Sequence, residues 1–338
     1  MNYQNKNIYI YINMNEIVIN CYFITNSLTC YDLINLINQK DVFSQIGLTS
    51  LPNPQDSFLS NIGLAQTNIL SKNYEIKKII NESDLVGSSI LKSSIENALI
   101  LYKNTNKNIF PLPFMSKNHY DGRDTLLKGL KKNFNKNVSS KNAFSNNDFN
   151  LNKNKKFWDD VLNKSKRRKN PYNDKLSDLK WSVINSALKN KMNINYNPKK
   201  FMSVVYHKLI KKIYLKNKDE YNLTFFTNIR FIIDLLKMFK KKLDEDTLIN
   251  LKHNGVIHLQ FNYNMLLKTN KLENYNIIFP TKSNYGEYNV KNGEFYFEYE
   301  RRDYPLNYKK IEQKNILEHL LLRCDNYKNI AKKIKKND

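Results

Sequence analysis

Residues 128–169 hold thirteen Lys and Arg against Asp148, Asp159 and Asp160, set among many Asn and Ser. Alone in water, such a stretch buries too little apolar surface to offset the entropy of ordering it, and it is expected to be disordered. A compact fold therefore has to be assembled from the sequence on either side. The two sides differ in charge. Residues 1–100 sum to −2, whereas residues 101–338 sum to +26. This predicts a neutral N-terminal α+β domain over 1–110, a basic Asn/Lys-rich extended segment over 111–174 and a basic α+β domain over 175–338. A cationic body with a neutral head implies a polyanion for the one and protein for the other.

The chain has 338 residues, 41% hydrophobic and 12% aromatic, enough for real cores. Lys outnumbers Arg 48 to 7, and Asn, Ile, Tyr and Phe are abundant. AT-rich codons account for the Lys/Arg ratio and the Asn, but not for the net charge, because they would enrich Lys in the first hundred residues as well. Cys21, Cys30 and Cys324 are too few and too scattered for a disulfide framework, and the odd count favours a reducing compartment. The start shows no compact apolar secretory segment and no Arg-rich presequence, the first Arg being Arg123. The most apolar run, Leu223–Phe239, is interrupted by Arg230, Asp234 and Lys237. It reads as a buried amphipathic helix, not a membrane span.

Alternation of Ile8, Ile10 and Ile12 with Tyr9 and Tyr11, a turn near Asn13–Asn15 and the run from Ile17 to Ile24 predict a hairpin. Thr29 and Asp32 form a capping-box pattern ahead of Leu33, Ile34, Leu36 and Ile37. Strand, turn, strand and helix in this order resemble the opening of ubiquitin-like β-grasp domains. Residues 41–81 read as irregular. A helix is expected over 84–102, and Pro111 and Pro113 mark a linker. Further helices are expected over 176–191, from Asn197-Pro198 to about 215, and over 223–243. Strands over 256–261, 275–279 and 294–300 then form a small antiparallel sheet, and a helix over 308–334 closes the chain.

The glycines exclude several chemistries. None of the eight is spaced for GxGxxG, a P-loop, GxxG or GxSxG. CxxC and HExxH are absent, so no metal and no cofactor is expected. The densest titratable cluster is His119-Tyr120-Asp121-Gly122-Arg123-Asp124. It reads either as a turn with a local ion pair or as acid–base groups of a nuclease or RNA-modifying enzyme using Asp121 and Asp124.

Phosphate contact is expected from Lys131, Lys132, Lys155 and Lys156, and above all from Lys164, Lys166, Arg167, Arg168 and Lys169 beside Trp158 and Tyr172. Lys211, Lys212, Lys240, Lys241, Lys242, Arg301 and Arg302 extend the set. Lys lacks the bidentate fork of Arg, so these contacts would neutralise phosphate without reading bases.

A basic modular body without a catalytic motif resembles the mitochondrial ribosomal proteins of AT-rich protists. The resemblance implies a non-enzymatic constituent of the ribosome in the mitochondrial matrix, or alternatively the cytoplasm. Its partners would be rRNA and neighbouring ribosomal proteins, with no small-molecule substrate. The alternatives are a soluble accessory subunit of a respiratory or ATP synthase complex and the nuclease just described.

Overall fold

The computed structural model describes residues 16–32, 57–115, 173–189, 196–206, 218–251, 253–264, 267, 269–279, 288–291, 294–297 and 324. Its class is α+β, built on a mixed six-stranded sheet. The strands are β1 (Glu16–Thr25), β2 (Leu85–Ser89), β3 (Ile109–Leu112), β4 (Glu220–Thr227), β5 (Val256–Asn264) and β6 (Thr269–Phe279), in the order β3-β2-β4-β1-β5-β6. The first four in that order run parallel, and β5 and β6 add antiparallel strands beside β1.

The connecting helices are α1 (Asn61–Leu70), α2 (Tyr74–Glu82), α3 (Lys92–Leu101), α4 (Ser182–Lys189), α5 (Pro198–Val204), α6 (Ile229–Met238) and α7 (Glu245–Asn250). A separate antiparallel pair joins β7 (Tyr288–Lys291) to β8 (Glu294–Phe297).

Strand alternation decides which face each side chain meets. Ile17, Ile19, Cys21 and Phe23 of β1 point to the same side as Tyr221, Leu223 and Phe225 of β4 and Ile257, Leu259 and Phe261 of β5. That side is covered by Phe201 and Met202 of α5 and by Phe231, Ile232, Leu235 and Leu236 of α6. Phe201 meets Phe225 and Phe231 edge-on, each at 5.0 Å between ring centres, an arrangement that suits the aromatic quadrupole. On the opposite face, Ile24, Val86, Phe226 and Val256 pack under Ile76, Ile79 and Ile80 of α2 and Ile95, Ala98, Leu99 and Tyr102 of α3. Helices thus lie on both faces of the sheet.

This sheet does not respect the expected boundary between head and body. β1 and β2 come from residues 1–110, β3 straddles the boundary at 110, β4, β5 and β6 come from 175–338, and they interleave. β1 is hydrogen-bonded to β4 on one side and β5 on the other, and β4 also pairs with β2. The two charge classes belong to one core.

Several local expectations change for the same reason. Residues 85–89 and 223–227, expected inside helices, belong to strands β2 and β4. Both are nearly continuous buried runs at the centre of a parallel sheet, where apolar residues face helices on both sides and no alternation survives. The helices expected there shorten to α3 and α6. Within residues 41–81, read as irregular, lie α1 and nearly all of α2, capped by Ser60 and Asn73. Pro111 lies in β3 instead of a linker, and β3 is an edge strand, where a missing N–H is tolerated.

The strand expected at 17–24 exists as β1, but its partners are β4 and β5, so a β-grasp hairpin is not what it builds. Asn197 caps α5 by accepting from the Lys200 N–H at 3.0 Å, with Pro198 at the first helical position as anticipated. The first hairpin strand at 8–12, the helix at 33–37 and the closing helix at 308–334, apart from residue 324, lie outside the described residues.

Cys30 and Cys324 are joined by a disulfide across a sequence separation of 294, with 5.4 Å between their Cα atoms. Cys21 is a free, buried thiol, and burial pushes its pKa well up. The scattered cysteines therefore do supply one cross-link. No described helix is long and apolar enough to cross a membrane.

Candidate functional site

Four parallel strands end on one edge of the sheet, β1 at Thr25, β2 at Ser89, β3 at Leu112 and β4 at Thr227, and β5 begins there at Val256. In open parallel sheets this carboxyl edge is where connecting loops leave room for ligands. The chain leaves it each time through small polar residues: Thr25-Asn26-Ser27 after β1, Ser88-Ser89 within β2, and Thr227-Asn228 after β4.

These side chains form one hydrogen-bonded network. Ser27 Oγ lies 2.6 Å from Thr67 Oγ1 and donates to Asn254 Oδ1. Thr67 Oγ1 is 2.8 Å from Asn97 Oδ1. Asn97 Nδ2 donates to the Thr25 carbonyl at 3.2 Å and to Asn254 Oδ1 at 3.3 Å. Thr25 Oγ1 accepts from the Gly255 N–H at 2.9 Å. Asn254 holds a left-handed φ of 54°, which Asn tolerates better than most residues and which turns the chain into β5. Ser27, Thr67, Asn97 and Asn254 are buried and uncharged. Each amide and hydroxyl is satisfied without a desolvated charge, so full burial is affordable.

Nearer the solvent, Asn26 is half-buried. Its Nδ2 donates to Ser93 Oγ at 3.1 Å, and its Oδ1 accepts from Ser94 Oγ at 2.7 Å. Ser89 Oγ donates onward to Ser94 Oγ at 2.9 Å. Ser93 and Ser94 belong to the first turn of α3. That helix opens at Leu91, an apolar residue that offers no side-chain cap, whereas α6 on the neighbouring strand is capped by Asn228, whose Oδ1 accepts from the Phe231 N–H at 3.0 Å. The positive end of the α3 dipole thus faces the edge beside Asn26. Lys92, the first residue of α3, sets its ammonium 5.0 Å from the centre of the Phe58 ring.

A second polar cluster crosses the sheet face further from this edge. His258 Nε2 lies 2.9 Å from Asn20 Oδ1, and its Nδ1 lies 3.1 Å from Asn276 Oδ1. Asn20 Nδ2 donates to Glu220 and, at 3.0 Å, to Asn222. With that amide group committed to donation, Asn20 presents its oxygen to Nε2, which therefore carries the proton. Tyr22 stacks on the imidazole at 4.8 Å. Burial lowers the His258 pKa against the opposing influence of Asn276 and Glu220.

Of the residues expected to contact phosphate, Lys240, Lys241 and Lys242 are described. They are exposed just past α6, and Lys240 makes the left-handed turn that ends it. They are not brought to the carboxyl edge of the sheet. Lys131, Lys132, Lys155, Lys156, Lys164, Lys166, Arg167, Arg168, Lys169, Lys211, Lys212, Arg301 and Arg302 lie outside the described residues, as do His119, Asp121 and Asp124. Among the described residues no group of three His, Cys, Asp or Glu is placed to hold a metal ion.

The residues of the edge were missed because hydroxyls and amides carry no catalytic motif. The available signal was the repeated Thr-Asn that ends two apolar runs, at 25–26 and 227–228.

No protein-family model matches this chain, and no curated protein matches it. Solved structures do. A protein titled mycobacterial hydrolase 2 aligns over 78% of this chain and 90% of its own, with 10% identity and a TM-score of 0.37. A phosphoglycerate mutase from Bacillus anthracis aligns over 77% and 94%, with 12% identity and a TM-score of 0.35. A mycobacterial glucosyl-3-phosphoglycerate phosphatase aligns over 77% and 97%, with 11% identity and a TM-score of 0.37.

The expectation of a non-enzymatic ribosomal constituent, with rRNA and neighbouring proteins as partners and no small-molecule substrate, is corrected here, because it rested on a neutral head folded apart from a basic body. The neutral head that was to dock on proteins is woven into the same sheet as the basic body. At this level of likeness no residue role is carried over to this chain.

Proposed function

We propose that the carboxyl edge of the parallel strands binds a small anionic ligand, of the phosphate-ester class, with Asn26 and the first turn of α3 as its seat. The observation that carries this reading is the opening of α3. It begins at an apolar residue with no side-chain cap, at the point where half-buried Asn26 bridges Ser93 and Ser94. Backbone N–H groups of a helix's first turn, together with its dipole, favour an anion. The half-buried Asn26 amide, held in place by the buried Ser93 and Ser94 hydroxyls, supplies a neutral donor at the rim. Lys92 adds a cation in the same turn. Beneath them the Ser27–Thr67–Asn97–Asn254 network holds the loop after β1 in place.

The direct test is titration with inorganic phosphate, followed by amide chemical shifts and by the thermal midpoint. Binding is expected to shift the amides of Asn26, Ser93 and Ser94 and to raise the midpoint in proportion to occupancy. Asn26→Asp places a negative charge on the seat and is expected to abolish both effects. Release of phosphate from a generic phosphomonoester, assayed in the same preparation, separates holding from turnover. Unchanged amides up to 50 mM phosphate, roughly the weak end of useful binding, would sink the proposal.

A further inference from the structure

We infer that the Cys30–Cys324 disulfide is an oxidative latch that orders the rim of this edge, so that the site is assembled fully only in the oxidised chain. This rests on the reading of the carboxyl edge as the binding site.

Cys30 lies four residues beyond Asn26, in the loop that leaves β1. Around Cys30 that loop is held by the short segment 57–60. The Cys30 N–H donates to the Phe58 carbonyl at 2.9 Å, the Ser60 N–H donates to the Leu28 carbonyl at 3.0 Å, and Thr29 bridges Leu59. The Tyr31 N–H reaches Ser57 Oγ at 3.1 Å. The same segment is tied to α3, because the Leu59 N–H donates to Glu96 Oε2 at 2.8 Å. α1 closes on the loop as well. Gly63 packs so tightly that a Cβ there would stand 2.2 Å from the Leu28 carbonyl oxygen.

Cys30 is thus the point where the loop of Asn26, the 57–60 segment and the helix carrying Ser93 and Ser94 meet. Residue 324 is joined to that point from 294 positions away. A cross-link over so long a loop restricts the unfolded chain strongly, and it ties the loop after β1 to a residue far along the chain.

The chemistry balances as thiol–disulfide exchange. One cysteine thiolate attacks a small disulfide such as oxidised glutathione and releases one glutathione thiolate. The second cysteine then displaces the other glutathione, and the Cys30–Cys324 bond takes its place. Each cysteine gives up one proton and one electron, and the oxidant becomes two thiols. In the folded chain the two sulfurs are shielded, with residue exposures of 1% and 3%. The bond therefore persists once formed, and the free Cys21 thiol, buried among apolar side chains with its pKa pushed up, does not compete for it.

The test uses the full chain, prepared once with oxidised glutathione and once with excess dithiothreitol, and the Cys324→Ser variant. After unfolding in denaturant, alkylation is expected to find one free thiol in the oxidised protein and three in the reduced one. Amide hydrogen exchange of Leu28, Cys30, Leu59 and Ser60 is expected to be at least about tenfold faster in the reduced chain and in the variant. Exchange in the core of β5 should remain unchanged, which separates loss of the latch from global unfolding. Three alkylatable thiols in the oxidised preparation, or equal rim exchange in all three samples, would overturn the latch. Failure of phosphate to bind in any of them would count against the anion site alone.

Discussion

Two polar networks lie within this sheet, and they are built on opposite principles. The one at the carboxyl edge, formed by Ser27, Thr67, Asn97 and Asn254, is neutral and buried. The one on the sheet face runs from Glu220 through Asn20 to His258 and Asn276, and its ends reach solvent. Amides and hydroxyls can be taken out of water when every donor finds an acceptor. Carboxylate and imidazole groups resist full burial, because desolvation disfavours their charged forms. The edge can therefore serve as a rigid floor for a loop, while the face keeps a group that responds to pH.

Converting the floor to the other chemistry should give the largest effect. Asn97→Asp replaces an amide donor by a carboxylate oxygen facing the Thr25 carbonyl and Asn254 Oδ1, with no cation in the network. A loss of about 3–5 kcal/mol is expected in urea unfolding. A loss below about 1 kcal/mol would mean that the edge is already wet and that the contrast is wrong.

Between the networks, the central strands leave little spare volume. A Cβ on Gly87 would stand 2.7 Å from Phe225 Cδ1 and 2.8 Å from Leu112 Cδ1. Gly87→Ala is expected to cost about 1–3 kcal/mol by the same measurement. On the face, Asn20→Ala strands His258 Nε2–H but leaves exposed Glu220 free to turn to water. The expected cost is about 1–2 kcal/mol, clearly less than at Asn97.

The smallest effect is a matter of pH. His258 meets Asn20 and Tyr22 from β1, Asn276 from β6 and the more distant Glu220 of β4. Its folded pKa lies below the ordinary value, so below about pH 6.5 the unfolded chain binds more protons than the folded one. Stability from this group is complete above about pH 6.5 and is lost as pH falls through the depressed folded value. Thermal midpoints between pH 5 and 8 should fall on the acid side, and His258→Gln should flatten that part of the curve. An unchanged slope in the variant would assign the pH response to the carboxylates instead.

Much of the fold was legible where local chemistry is strong. Asn197-Pro198 announced a helix start, because an Asn oxygen and a proline without an N–H suit the first turn. An apolar run after the turn near Asn13–Asn15 marked β1, and the Asn254-Gly255 turn signal marked β5. The reading failed at Leu85–Ser89 and Leu223–Thr227, since a strand buried on both sides has no polar period to distinguish it from a helix. The candidate site was legible only as the repeated Thr-Asn, and its other members, Thr67, Asn97 and Asn254, are ordinary surface residue types until folding buries them together.

The sequence by itself determined the charge imbalance, the α+β class, several caps and the faces of the alternating strands, because each depends on neighbours within a turn or two of chain. The tertiary structure alone decided that residues 16–25 lie between 220–227 and 256–264, that Cys30 meets Cys324 and that four strands end on one polar edge. Those outcomes depend on which buried surfaces meet across hundreds of residues, and no local interaction encodes that choice.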